Sequence, residues 1–169
     1  MNSYFYTAMT FAGLADLVMK KSRSEHSLKV ILEKSRSKSG KHAFVRLAAR
    51  VNLDTNEVIE VIQPTGSSPP KTYSEGISKE VNLKYGNKEA LVIVSMVKVP
   101  HPNPKRRVKG TVEVYSNGEL VYKAKYVKGI LRGSAGDPKY FPAVKVVFEK
   151  LQIPVKRENP NAHVPGRGN

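Results

Sequence analysis

No cysteine occurs among the 169 residues, which excludes a disulfide framework, a thiolate metal site and a cysteine nucleophile. Acidic residues are scarce too: 14 Asp plus Glu stand against 29 Lys plus Arg, a formal charge of +15. No apolar run approaches the roughly 18 residues that a membrane-crossing helix needs. Met1–Tyr6 has no basic region ahead of its apolar stretch, so no secretory leader is expected. The chain therefore reads as cytoplasmic, or as lying inside a virion or nucleoprotein particle, with no membrane partner.

Residues for catalysis are equally thin. His26, His42, His101 and His163 are scattered, with no two at ligand spacing. Asp16, Asp54 and Asp137 form no D-x-D pair, and no glutamate is followed two residues later by lysine. Ser37-Lys38-Ser39-Gly40-Lys41 ends like a phosphate-binding loop but lacks its first glycine and its preceding strand, which excludes a P-loop. A backbone nest at Ser39–Gly40 that holds a phosphate is still compatible with that segment. The expectation is a protein without metal or cofactor, and not an enzyme.

What is present is a hydrophobic fraction of 40%, enough for a core. The length fits a single domain, read as 1–155, with a polar tail at 156–169. Phe11, Leu14, Ala15 and Val18 recur at helical spacing behind Thr10. Ser22–Glu25 forms a capping box ahead of Leu28, Ile31 and Leu32, which predicts a second helix. From Lys41 the period becomes two, giving a strand over 41–51. The Leu53–Asn56 turn returns the chain over 57–63, and 77–84 is a short strand. The nearly all-apolar run 90–99 reads as a central strand buried on both faces. Asn117-Gly118 predicts a hairpin joining Val108–Tyr115 to Glu119–Lys128. Gly129–Gly136 reads as a flexible connector, and Val144, Val147, Phe148 and Leu151 make a last helix. The fold class expected is α+β: an antiparallel sheet of five to six strands, with two N-terminal helices and one C-terminal helix on one face.

The charge is segregated along the chain. Residues 20–50 hold ten Lys or Arg against Glu25 and Glu33, a net +8, and Lys98 to Lys109 add five more cations without an acid. One face of the 41–51 strand interleaves Phe44 with Arg46 and Arg50, the pairing of phosphate-neutralising and base-stacking groups that single-stranded nucleic acid needs. A regular two-residue hairpin places Lys109, Tyr115, Tyr122 and Tyr126 on one face, either a second stacking platform or the core. Pro100, Pro102 and Pro104 predict a stiff arm delivering Lys105, Arg106 and Arg107 to phosphates. The candidate nucleic-acid-binding residues are thus Arg36, Lys38, Lys41, Phe44, Arg46, Arg50, Lys105, Arg106, Arg107, Lys109, Tyr122 and Tyr126.

The function expected is non-enzymatic binding of nucleic acid, with single-stranded DNA or RNA favoured. One alternative is an assembly component, such as a viral coat, nucleoprotein or ribosome-associated protein, packing with copies of itself around nucleic acid. A second is a small nucleic-acid-processing enzyme that uses Asp54 or Glu57.

Overall fold

The computed structural model describes residues 25–37, 39–64 and 75–157. Their strands are β1 (Glu25–Arg36), β2 (Ala43–Asn52), β3 (Glu57–Ile62), β4 (Glu75–Gly86), β5 (Glu89–Lys98), β6 (Val108–Ser116), β7 (Glu119–Val127), β8 (Ile130–Gly136) and β9 (Lys156–Arg157). One α-helix, α1 (Phe141–Lys150), lies between β8 and β9. The nine strands form one sheet in the order β4-β1-β2-β5-β6-β7-β8-β9, with β3 also paired to β2. Every pairing is antiparallel except that of β8 with β9.

This overturns the expected fold class. Instead of two N-terminal helices beside five or six strands, the described residues are predominantly sheet with a single α-helix. The segment expected as the second helix is β1, which pairs with β4 along all twelve of its residues. Leu28, Val30 and Leu32 alternate toward the protein interior, while Ile31, a residue the helical reading needs inside, is 50% exposed. Val30 makes the period two, and only distant pairing with β4 reveals it. The first expected helix, behind Thr10, lies outside the described residues.

Two apolar layers flank the sheet. On one face Leu47, Ala49, Val51, Val92, Val94, Val112 and Val114 pack against Val144, Val147 and Phe148 of α1. Pro142, placed in the first turn of α1, costs that turn no hydrogen bond because its first amides lack partners anyway. On the other face the β1–β4 ribbon folds back, laying Val30, Leu32, Leu83 and Tyr85 onto Ala48, Leu91 and Ile93. β1 accompanies β2 only from Glu33 to Arg36 before it departs, and β3 takes over that edge of β2 from Ala48 onward. The ribbon's far end is pinned to the β6–β7 turn, where the Gly118 amide donates to the Tyr85 hydroxyl oxygen at 2.9 Å. Strand β5 is therefore covered on both sides, as its unbroken apolar run requires.

Two local features depart from the regular pattern. The β6–β7 hairpin turns at Asn117-Gly118 with both residues at positive φ. Past the turn Tyr115 faces Leu120 but Val114 faces Tyr122, so Val121 is an extra, bulged residue. Gly129–Gly136, expected as a connector, instead supplies β8 behind a second tight turn at Lys128-Gly129, again with positive φ at both residues.

Candidate functional site

The ribbon covers only one end of the face opposite α1. The remainder of that face is built from side chains of β2, β5, β6, β7 and β8. One cross-strand row runs Arg46, Ser95, Thr111, Lys125, Arg132. Its five strands span about 19 Å between the outer two. The row beside it, farther from the ribbon, holds Phe44, Val97 and Lys109. On the ribbon side Ile93 stands next to Glu113, and Glu113 faces Lys123. Lys109, Thr111, Lys123, Lys125 and Arg132 are exposed; Phe44, Arg46, Ser95 and Val97 are half-buried. Two carboxylates stand in these rows: Glu113, and half-buried Glu33 of β1, which lies opposite Arg46.

Arg46 reaches over Ser95 toward Glu113, with 4.0 Å between Nη2 and Oε1. The small Ser95 side chain on the intervening strand leaves room for that crossing. The Tyr115 hydroxyl donates to the same Glu113 oxygen at 3.3 Å. Burial, and then the neighbouring Glu113 charge, raise the Tyr115 pKa above the ordinary phenol value, so the phenol remains a donor at neutral pH.

Three turns add cations at one end of the strands. The β1–β2 turn exposes Lys41, the β5–β6 loop exposes Arg106 and Arg107, and the β7–β8 turn exposes Lys128. The proline-rich stretch is a folded loop and not an extended arm. Pro104–Arg106 form a 3-10 turn, Val99 N–H donates to the Arg107 carbonyl at 2.8 Å, and Arg107 Nε donates to the His101 carbonyl at 2.7 Å. The expected phosphate nest is also filled from within. Gly40 N–H donates to the Ser37 carbonyl, Lys41 N–H to Ser39 Oγ, and His42 N–H to Ser37 Oγ.

The residues singled out in the sequence thus divide into several groups. Phe44, Arg46 and Lys109 share the open face. Arg36, at the end of β1, is exposed and stands opposite Glu75 in the register. Lys41, Arg106 and Arg107 lie at the end of the sheet that borders this face; Lys105 belongs to the 3-10 turn. Lys38 lies outside the described residues. Arg50 points to the same side as Arg46 but belongs to another site: Nε bonds Glu60 at 3.1 Å and Nη1 bonds Glu89 at 3.0 Å. Burial works against its charge, yet Glu89 and then Glu60 outweigh this and hold its pKa above the usual guanidinium value. Tyr122 and Tyr126 are 5% and 4% exposed, beneath α1, because the Val121 bulge turns them inward.

Lys123, Lys125, Arg132 and Glu113 were not among the candidates. Strict Tyr-Lys-Ala-Lys-Tyr alternation over residues 122–126 is the signal that finds the two lysines: a core cannot take two adjacent ammonium groups, so the tyrosine side must be the inner one. Among the described residues no helix is long and apolar enough to cross a membrane, and no group of three His, Asp or Glu is placed to hold a metal ion. No protein-family model matches the chain, and no curated protein or solved structure matches it significantly.

Proposed function

We propose that the protein binds single-stranded nucleic acid, DNA or RNA, across the open face of β2, β5, β6, β7 and β8, and does so without catalysing a reaction. The observation that carries this reading is the projection of Arg46, Lys109, Lys123, Lys125 and Arg132 from one sheet face, against two carboxylates, Glu113 and the half-buried Glu33. Side chains on one face of a sheet are held in register, so five cations on a fixed lattice match a repeating phosphate chain better than scattered surface charge does. Half-buried Phe44 lies among them and offers a ring edge or face to an unstacked base.

Two physical points favour a single strand over a duplex. Reading a duplex takes an element that enters a groove, whereas the Pro100–Arg107 segment, the obvious candidate for one, is folded back on itself. A sheet face also leaves bases free to lie flat against it, which only unpaired bases do. Fluorescence anisotropy with labelled oligo-dT, oligo-U and a mixed-sequence duplex tests the reading. Either single strand is expected to bind at least about ten-fold more tightly than the duplex. Equal or tighter duplex binding, or no binding to any of the three, contradicts it.

A further inference from the structure

Glu113 is costly on a surface that gathers anions, and its surroundings are incompletely satisfied. Arg46 approaches it only to 4.0 Å. The Arg46 Nε is buried and has no hydrogen-bond partner among the described residues. That nitrogen is closed off from any ligand, but the Arg46 side chain is 39% exposed, which leaves its terminal nitrogens as the donors a ligand acceptor can meet. Glu113 keeps a second carboxylate oxygen beside the one that Tyr115 contacts. The border of the ribbon therefore sets two adjacent acceptors next to a part-exposed guanidinium, at the inner end of a row of cations.

We infer that Arg46 and Glu113 together select guanine from the bases of a bound single strand, an inference that rests on the binding reading above. Guanine alone presents two neighbouring donors, N1–H and the N2 amino group, beside an acceptor, O6. The carboxylate accepts from both donors, and the terminal guanidinium nitrogens of Arg46 donate to O6. Adenine and cytosine each bring one donor group, which leaves a Glu113 oxygen unpaired against the base. Thymine and uracil bring one donor flanked by two acceptors, and one of those acceptors meets the carboxylate. Phe44, two residues from Arg46 on the same face of β2, lies where a base held by this pair continues across the sheet.

The test uses oligo-dT, or oligo-U where that is the strand bound, and the same oligomer with two central guanines, two inosines or two adenines. The wild-type chain should bind the guanine oligomer about ten-fold more tightly than the homopolymer. Inosine, lacking only the N2 amino group, should forfeit most of that gain. Glu113→Gln should bring guanine to the level of the homopolymer while homopolymer affinity stays the same or improves. Lys123→Gln, which removes the cation facing Glu113, should weaken every oligomer alike and keep the preference. Equal wild-type affinities, or a guanine preference that survives Glu113→Gln, overturns this inference while leaving the binding reading intact. Failure of the wild-type chain to bind any oligomer overturns both.

Discussion

Tyr126 and Arg50 show at the scale of single residues how burial separates structural from surface roles. Tyr126 lies under α1, its hydroxyl donating to the Pro154 carbonyl and its ring 5.3 Å from that of Phe148. Burial raises the Tyr126 pKa above the phenol value of 10.0. The sign of the consequence is fixed: the unfolded chain loses this proton before the folded one, so its stabilising share is complete below pH 10.0 and lost as pH rises above it. Tyr126→Phe should cost about 1 kcal/mol at neutral pH through the lost hydrogen bond. In denaturant titrations the gap between wild type and variant should narrow above pH 10.0; a gap that widens there contradicts the assignment.

Arg50 sits in ion pairs with Glu60 and Glu89 at the end of the sheet away from the basic turns. Arg50→Gln should lower stability by about 1–2 kcal/mol, a figure reduced for the partial exposure of Glu60. It should leave oligonucleotide affinity within about two-fold, because the guanidinium is already engaged. In the sequence Arg46 and Arg50 are indistinguishable, four residues apart on one strand face. Only the pairing of β1, β3 and β5 with β2 gives them different neighbours.

Among the elements, the bulge at Val121 decides which side of the hairpin is core. A regular hairpin pairs Glu113 with Tyr122; the extra residue shifts that pairing to Glu113 with Lys123 and sends Tyr122, Ala124 and Tyr126 under α1. Turn chemistry is local, so Asn117-Gly118 was legible in the sequence, whereas the bulge is settled by what packs on each face. Deleting Val121 restores the regular register and points both lysines inward. That deletion should cost more than about 4 kcal/mol, read as loss of a cooperative thermal transition. Retention of the wild-type melting temperature would place the bulge elsewhere. The strands over 43–52 and 108–127 and the helix at Phe141–Lys150 were legible because each carries its own period. The strand over 89–98 was legible through its nearly unbroken apolar run, and 57–62 because the turn before it returns the chain. β1 was not, because a capping box and two apolar pairs at helical spacing competed with an alternation that only β4 completes. β8 was hidden by three glycines whose role is to allow tight turns and close packing: a Cβ on Gly133 or Gly136 meets Tyr122.

At the scale of the molecule, the described residues form a sheet that is polar along its strands. The turns at one end carry Lys41, Arg106, Arg107 and Lys128, while those at the other hold Asp54, Glu57, Glu89 and Glu119 with Lys88. About 30 Å separates the two ends, well beyond the screening length at physiological salt, so each acts on its own ligands. Lysine acylation with and without bound oligonucleotide should show protection of Lys41, Lys109, Lys123 and Lys125, and none of Lys88. Protection of Lys88 as strong as that of Lys125 would move the contact surface off the open face. The +15 charge was plain from composition, and the concentration of cations in 20–50 and 98–109 was plain from position. Their meeting with Lys123, Lys125 and Arg132 on one face depended on the register of four strand pairs.

The most direct test of that surface is the salt dependence of single-strand binding, compared between wild type and Lys109→Gln/Lys123→Gln/Lys125→Gln. These three side chains are exposed, so their removal should leave the melting temperature within a few degrees of wild type. If each neutralises one phosphate, the slope of log affinity against log salt should become shallower by about 2 units. An unchanged slope in a folded variant would contradict binding on the open face.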